Sequence, residues 1–218
     1  MTAALHLAPW HERFPGRLAG SVYAAPPGSR IAAAQSLSDA GLDVHVDVMA
    51  ESGGLPAGVS MAELADIVAA VGPSRVEVHL IGSPEFVDTK LLRILQVRPA
   101  KVYLPWDAFT ERRADALRAV GSSALISLWT EWDGAVAPRW RATPDGALVM
   151  LIEPGTRDRC RVDRLGIVTA VASENPGMPV IVDGGITEDI APLCVTAGVE
   201  SMVVGRALLP APAHGEEE

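Results

Sequence analysis

The sequence predicts an α/β protein that folds as a (β/α)8 barrel, in which eight parallel strands alternate with helices. Eight short β-rich runs recur at a fairly even spacing along the 218 residues, and helical periodicity fills most of the gaps between them. Strand followed by helix, repeated, favours a parallel sheet, and eight repeats suit a closed barrel. A doubly wound open sheet is the alternative. With 49% apolar and 21% charged residues, the chain has the composition of one globular domain.

The eight predicted strands are rich in β-branched and other apolar residues and are bounded by turn signals. They are Ala19–Tyr23, Leu42–Met49, Arg75–Ile81, Lys101–Leu104, Ala124–Leu128, Ala147–Ile152, Val180–Asp183 and Ser201–Val204. Between them, apolar residues recur at helical spacing, for example from Met61 to Val71 and from Phe86 to Leu95. Ser60 followed by Glu63 predicts a capping box at the start of the first of these helices.

Two regions depart from the repeat. The stretch from Trp129 to Asp145 has few periodic apolar positions, so it is either a poor helix or a long loop. The chain after Leu209 is too short and too rich in proline for a closing helix, so we expect the final helix to be truncated or missing. We therefore divide the chain into an N-terminal extension (1–18), one barrel (19–209) and an acidic tail (210–218). The extension either fills the gap left by that helix or lies loose.

Composition excludes several classes of function. A net charge of −9 without a basic stripe argues against binding to nucleic acid. The two cysteines, Cys160 and Cys194, offer neither a disulfide framework nor a thiolate zinc site. No apolar run approaches the roughly 20 residues that span a bilayer, and the first residues lack the pattern of a secretory signal. We expect a cytoplasmic protein without nucleic-acid or membrane partners.

The second predicted strand alternates strictly between two kinds of residue. Val44, Val46 and Val48 share one face, and His45 and Asp47 share the other. In a barrel the valines would lie under the helices, which leaves the histidine and the aspartate inside. Burying an imidazole and a carboxylate is unfavourable by several kcal/mol unless a partner such as a metal compensates them.

The third and seventh strands extend this pattern. His79 lies on the inward face near the end of the third strand, and Asp183 closes the seventh strand at the catalytic rim of a barrel. Two imidazoles and two carboxylates form a plausible site for a divalent first-row metal. We therefore predict that His45, Asp47, His79 and Asp183 bind one metal ion together. The alternative for each residue alone is a hydrogen-bonded group in the core or at the rim.

Glycine-bearing loops follow the seventh and eighth strands. Gly184-Gly185 and Gly205-Arg206 occupy the positions where barrels bind phosphate through backbone N–H groups. Glycine lets an anion approach the backbone closely. The loops therefore predict a phosphate site, with ordinary tight turns as the alternative. Arg206 is either a charge-assisted contact to that phosphate or a solvated surface residue.

In their order and spacing, these motifs resemble the ribulose-phosphate 3-epimerase family. The matching segments are His45–Met49, Val78–Leu80, Val149–Met150 through Pro154–Gly155, Val182–Ile186 and Gly198–Gly205. The resemblance runs from about Ser21 to Leu209. It implies a barrel of the ribulose-phosphate-binding type.

The resemblance also implies a role for each site residue. It makes His45 and His79 metal ligands, Asp47 and Asp183 both ligands and proton carriers, Met49 and Met150 apolar shields, Ser21 a neighbour of the substrate, and Gly155, Gly184, Gly185 and Gly205 the surroundings of the phosphate. The implied cofactor is a divalent ion: zinc, iron, manganese or cobalt. Its identity stays open.

The expected activity is that of an isomerase acting on a phosphorylated sugar. Two carboxylates on opposite faces would remove and return the proton at C3 of a ketose phosphate through an enediolate, converting ribulose 5-phosphate to xylulose 5-phosphate or acting on a related sugar. Which aspartate acts first is left open. A place in the pentose phosphate pathway and a homo-oligomeric state are implied as well.

Several loops depart from the family pattern. The departures are Ala50–Pro56 after Met49, Thr156–Arg159 in place of a glycine-rich lid, Tyr103–Trp106 in place of His-x-Glu, Ile81 for a methionine and Arg206 for a serine. They leave open a divergent phosphate-binding barrel with different or lost activity. Lysine-dependent decarboxylase or aldolase chemistry is disfavoured, because Lys90 and Lys101 are poorly placed for it.

Overall fold

Eight parallel strands close into a single barrel in a computed structural model, which describes residues 6–50, 57–135, 138–154, 156 and 158–209. The strands are β1 (Leu18–Ser21), β2 (Asp43–Met49), β3 (Val76–Ile81), β4 (Lys101–Pro105), β5 (Ser123–Leu128), β6 (Ala147–Met150), β7 (Val180–Asp183) and β8 (Ser201–Val204). Each pairs with its sequence neighbours, and β8 pairs with β1. The predicted barrel is confirmed, and the open-sheet alternative is wrong.

Six α-helices accompany the strands in the described part of the chain. They are α1 (Arg30–Asp39), α2 (Met61–Val71), α3 (Pro84–Val97), α4 (Glu111–Ala119), α5 (Leu165–Glu174) and α6 (Ala191–Thr196). The Ser60 hydroxyl accepts a hydrogen bond from the Glu63 N–H at 3.2 Å and so caps α2. The Glu63 carboxylate accepts from Arg30 at 3.1 Å, so it ties α2 to α1 as well.

The two faces of each strand serve different parts of the core. Val44, Val46 and Val48 belong to a large hydrophobic cluster that includes Leu64 and Ile67 of α2. A smaller cluster fills the barrel interior and contains Ala19, Tyr103, Leu125, Leu148, Met150, Ile181 and Val203. Because successive side chains on a strand point to opposite faces, the residues between the outward-facing valines point inward.

A segment without helix connects β5 to β6. Among its described residues, 129–135 and 138–146, none is helical. Trp132 is buried in the outer cluster, and its ring lies 6.4 Å from that of Trp140. The Trp140 indole N–H donates to Asn175 after α5 at 3.2 Å. Tryptophans therefore cover the outside of the barrel where a helix would otherwise lie.

The N-terminal residues lie beside β8 and β1. A short 3-10 helix, Pro9–Arg13, buries Trp10 to 7% exposure. The indole N–H of Trp10 donates to the Ala207 carbonyl at 3.1 Å, and the Ala8 N–H donates to the Leu208 carbonyl at 3.0 Å. The described part of the extension thus packs on the barrel next to the last strand. The acidic tail, 210–218, lies outside the described residues.

Small differences separate the predicted strand ends from the observed ones. β1 ends at Ser21 because Val22–Ala24 form a 3-10 turn, and β6 ends at Met150 instead of Ile152.

No helix in the described ranges is long and apolar enough to cross a membrane.

Candidate metal centre

Four side chains from three strands converge inside the mouth of the barrel. One ligand atom each from His45, Asp47, His79 and Asp183 lies within 4.8 Å of the others. Oδ1 of Asp47 lies 3.3 Å from Nε2 of His45 and 3.4 Å from Nδ1 of His79. Oδ2 of Asp183 lies 3.9 Å and 3.8 Å from the same two nitrogens. The structure thus brings together all four residues that the sequence assigned to the metal.

Strand register explains this convergence. Asp47 of β2 is directly paired with His79 of β3, and His45 lies two residues earlier on the same inward face. Asp183 ends β7, which is separated from β2 by β8 and β1 around the ring. Closure of the barrel therefore carries the Asp183 carboxylate to the histidines, although it lies more than a hundred residues away along the chain.

The histidines present unpaired nitrogens to the centre of the cluster. Among the described residues, three buried side-chain nitrogens have no hydrogen-bond partner, and two of them are Nε2 of His45 and Nδ1 of His79. Leaving a buried polar atom unpaired is unfavourable by about 1–3 kcal/mol. A divalent cation would satisfy both nitrogens, and the set of two imidazoles and two carboxylates suits zinc or another first-row ion. The residues therefore fit a metal.

The carboxylates are more accessible than the imidazoles. The side chains of Asp47 and Asp183 are 10% and 15% exposed, whereas those of His45 and His79 are 0% and 2% exposed. The aspartates therefore lie nearer the open mouth, where a substrate could reach them.

The local electrostatic environment shifts the pKa values of the two aspartates in opposite directions. Burial favours the neutral form of Asp47, but His45 and His79 outweigh it and hold the pKa of this carboxyl far below its usual range. Burial raises the pKa of Asp183 to about 7; His45 opposes this shift, and the negative charge of Asp47 adds to it. Burial also lowers the pKa of His79, against the opposing effect of Asp47. Without a bound ion, the surroundings therefore favour the charged form of Asp47 and the neutral form of Asp183.

Ser21 contacts the cluster directly. Its hydroxyl donates to Oδ2 of Asp47 at 2.8 Å and is itself buried. Oδ1 of Asp47 remains directed at the two histidines. The family resemblance placed Ser21 near the substrate, and the structure adds that it orients one of the aspartates.

The sequence places Glu77 on the inward face of the third strand, but it assigned no role to Glu77 or to the row of polar residues beneath the cluster. Oε1 of Glu77 lies 2.8 Å from Nδ1 of His45, and Oε2 accepts hydrogen bonds from Tyr103 at 2.9 Å and from Lys101 at 3.1 Å. Glu77 is 2% exposed. Burial opposes its ionisation, but His45 and Lys101 outweigh burial and lower the pKa of Glu77 to about 2. Its inward position on β3 was the available signal, because a carboxylate inside a barrel needs partners.

The glycines of the candidate phosphate loops occupy tight positions. Gly184 and Gly185 have φ of 119° and 65°, which favours glycine. A Cβ on Gly185 would lie 2.7 Å from the backbone nitrogen of Cys160. A Cβ on Gly205 would lie 3.3 Å from Cβ of Ala24. The loops after β6 and β7 thus approach each other closely, and the loop after β8 approaches the turn after β1.

The other predicted contacts of the substrate lie around the same mouth. Met49 ends β2 and Met150 ends β6, both buried, and Met150 is directly paired with Asp183. Arg206 is exposed and lies in the turn after β8. Gly155 lies outside the described residues.

An aromatic residue that the sequence interpretation did not assign to the site follows β5. Trp129 packs against the interior cluster, and the Arg164 guanidinium stacks over its ring at 4.4 Å. Arg164 is itself fixed, since its Nε donates to the Met150 carbonyl at 2.6 Å. An indole therefore lies at the mouth on the side of β5 and β6.

Comparison with known proteins gives one match at the level of sequence families. The model of the ribulose-phosphate 3 epimerase family matches residues 17–209, which is most of the chain. Among curated proteins, none matches this chain significantly.

Solved structures with the same fold are distant in sequence. Phosphoribosyl anthranilate isomerase from Thermus thermophilus superposes with a TM-score of 0.61 at 16% identity, covering 90% of each chain. Orotidine 5'-phosphate decarboxylase from Pyrococcus horikoshii OT3 gives a TM-score of 0.59 at 14% identity, covering 89% of this chain and 92% of the other. Thiamine phosphate pyrophosphorylase from Pyrococcus furiosus gives 0.57 at 15% identity, with coverages of 92% and 91%. At such low identity these likenesses establish the fold alone.

Proposed function

Because the chain belongs to the ribulose-phosphate 3-epimerase family, we propose that it is a metal-dependent epimerase that inverts C3 of a ketose phosphate. Ribulose 5-phosphate, converted to xylulose 5-phosphate, is the first substrate to test. The observation that carries the proposal is the convergence of His45, Asp47, His79 and Asp183 within 4.8 Å of one another.

The four side chains would hold one divalent ion. His45 offers Nε2 and His79 offers Nδ1, the two buried nitrogens without hydrogen-bond partners. Asp47 offers Oδ1, because Ser21 already occupies Oδ2. When bound, the ion supplies positive charge that stabilises an enediolate as its negative charge develops.

The aspartates are the proton carriers of the proposal. They come from β2 and β7, on different sides of the mouth, so a substrate held between them would meet one carboxylate on each face. One removes the proton from C3, and the other delivers a proton to the opposite face, which inverts the configuration. Their roles exchange in the reverse direction.

The loops after β7 and β8 would bind the phosphate of the substrate. Gly184, Gly185 and Gly205 would offer their backbone N–H groups to an anion, because glycine carries no side chain to shield them. The remaining proposed phosphate contacts are Gly155, which follows β6 in the sequence, and the exposed Arg206. Met49 and Met150 remain the proposed apolar shields.

The altered mouth supports a second candidate, a family member that has moved to a different ketose phosphate. The indole of Trp129, which lies just after β5 with the Arg164 guanidinium stacked over it at 4.4 Å, could contact a sugar from that side of the mouth. Thr156 and the residues after it replace the expected glycine-rich lid. We therefore include other ketose phosphates in the activity screen. Our proposal also retains a cytoplasmic location, a homo-oligomer and a place in the pentose phosphate pathway.

Solvent exchange tests the proposed chemistry directly. The purified protein is analysed for metal and incubated with ribulose 5-phosphate in heavy water, and deuterium at C3 is followed by NMR. We expect one metal per active site and deuterium incorporation with formation of the epimer. Asp183→Asn should slow incorporation by at least about 100-fold, which is the lower range for loss of a general acid–base group.

A matched variant controls for non-specific effects. Asp189→Asn changes an exposed carboxylate in the same loop, which accepts a hydrogen bond from Thr187, and should leave exchange unchanged. His45→Ala and His79→Ala should each sharply reduce bound metal. Continued exchange in Asp183→Asn, or full metal content in both histidine variants, would rule the proposal out.

A further inference from the structure

A row of polar side chains, buried except for the partly exposed Lys101, runs across three strands from the candidate ligand His45. His45 of β2 is paired with Glu77 of β3, and Glu77 is paired with Lys101 of β4. We propose that Glu77 is a positioning residue, which holds the His45 ring with Nε2 towards the metal and is itself fixed by Lys101 and Tyr103. This inference rests on the proposed metal site and assigns a role to residues that do not touch the substrate.

The contact between Glu77 and His45 decides which ring nitrogen faces the cluster. Oε1 of Glu77 is 2.8 Å from Nδ1 of His45. A carboxylate only accepts hydrogen bonds, so Nδ1 carries the hydrogen in this contact. The opposite nitrogen, Nε2, is then directed at Asp47 and Asp183, at 3.3 Å and 3.9 Å from their oxygens. His45 therefore offers Nε2 as its metal-binding atom.

Two further donors prevent the Glu77 carboxylate from turning away. Oε2 accepts the Tyr103 hydroxyl at 2.9 Å and the Lys101 ammonium at 3.1 Å. Tyr103 is fully buried, and its ring lies 5.6 Å from that of His45. With both oxygens engaged, Glu77 has one orientation, and this orientation fixes the imidazole. A ligand held in place before binding loses less conformational freedom when the metal arrives.

Lys101 also balances charge below the metal. Its ammonium lies 3.1 Å from Glu77 and 3.5 Å from Asp43, at the end of the barrel opposite the mouth. The positive charge of Lys101 compensates the negative charge of Glu77. Asp47 and Asp183 are then the two carboxylates that balance a divalent ion. Lys101, poorly placed for lysine-based catalysis, thereby gains a role in the metal site.

A purely structural ion pair is the competing explanation for this row. Such a pair would influence the stability of the barrel but not the affinity of the site for metal. Metal affinity therefore separates the two explanations, and it can be measured without substrate.

The test is a zinc titration of metal-depleted protein against a competing chelator. Glu77→Gln removes the charge that orients His45 and should weaken zinc binding by about 10–100-fold. Glu63→Gln is the matched control, because it is the same substitution at a partly buried carboxylate that pairs with Arg30 on the outer helices. Its zinc affinity should stay within about twofold of the wild type, while both variants lose some stability.

The outcomes are distinct. Equal zinc affinity in Glu77→Gln and the wild-type protein would overturn the positioning role and leave the proposed epimerase intact. Absence of zinc binding by the wild-type protein would overturn the metal site and, with it, this inference. If Glu77→Gln does not fold, NMR of cadmium-loaded wild-type protein with labelled histidine decides. Scalar coupling between cadmium and Nε2 of His45 is expected, and coupling to Nδ1 would refute the arrangement.

Discussion

Replacing Gly185 by alanine tests whether the loops after β6 and β7 are packed as closely as the structure shows. Gly185 has φ of 65°, and a Cβ there would lie 2.7 Å from the Cys160 nitrogen and 3.1 Å from its Cα. Gly198 is the matched control, because its φ of 89° is also positive but a Cβ would meet nothing within 4 Å. The two substitutions share the backbone strain and differ in the collision.

The expected magnitudes follow from these two effects. A left-handed conformation is unfavourable for alanine by about 1–2 kcal/mol, so Gly198→Ala should lower the free energy of unfolding by that amount. Forcing a methyl group against backbone adds about 1–3 kcal/mol, so Gly185→Ala should lose about 2–5 kcal/mol. Each kcal/mol corresponds to about 2–4 °C in Tm for a domain of this size.

Thermal and urea unfolding measure the stability difference, and alkylation of Cys160 reports on the loop itself. Cys160 is half-buried, and burial raises the pKa of its thiol to about 11, so the wild-type protein should react slowly at pH 8. Displacement of the loop in Gly185→Ala should accelerate the reaction, whereas Gly198→Ala should not. Equal destabilisation of the two variants, with unchanged alkylation, would refute the close packing.

Three other perturbations test separate parts of the molecule. Arg206→Ser should weaken binding of phosphorylated more than unphosphorylated ligands, measured by calorimetry; equal effects would make Arg206 an ordinary surface residue. Trp10→Ala should lower the free energy of unfolding by about 3–5 kcal/mol because it empties a buried site beside Ala207. Trp10→Phe should lower it less, because the variant loses the indole hydrogen bond but keeps an aromatic ring. A change below about 1 kcal/mol in Trp10→Ala would show that the N-terminal segment is not part of the fold. The pKa of Glu77 is lowered from 4.5 to about 2, so its ionised form stabilises the fold above about pH 4.5, and this contribution is lost as the pH falls towards 2. The free energy of urea unfolding should therefore depend less on pH across this range in Glu77→Gln than in the wild type. The same pH dependence in both proteins would contradict the lowered pKa of Glu77.

Local patterns in the sequence were sufficient to predict the barrel and the direction in which the candidate metal ligands on β2 and β3 point. Alternation along a strand has a period of two, so placing Val44, Val46 and Val48 under the helices left His45 and Asp47 only the interior. The same reasoning placed His79 inside. At Gly184-Gly185 the sequence predicted a phosphate site, with a tight turn as the alternative; the positive φ of both glycines is typical of a sharp turn after a strand, and the phosphate site stays a prediction.

The sequence did not determine which segments cover the outer surface of the barrel. Apolar surface must be buried, but a helix, a loop or a terminal segment can bury it. The sequence left the stretch from Trp129 to Asp145 undecided between poor helix and loop, and left the N-terminal residues undecided between packed and loose. The structure covers the first region with Trp132 and Trp140 and places Trp10 beside β8.

The sequence by itself determined which side chains enter the barrel, because that depends only on the spacing of neighbouring residues within each strand. Beyond the predicted convergence of His45, Asp47, His79 and Asp183, the tertiary structure alone decided which of these side chains meet. Contacts such as those between Glu77, Lys101 and Tyr103, or between Ser21 and Asp47, join residues 24–26 positions apart. They depend on the register between strands and on closure of the ring, which are set by packing of the whole sheet and leave no periodic signal in the chain.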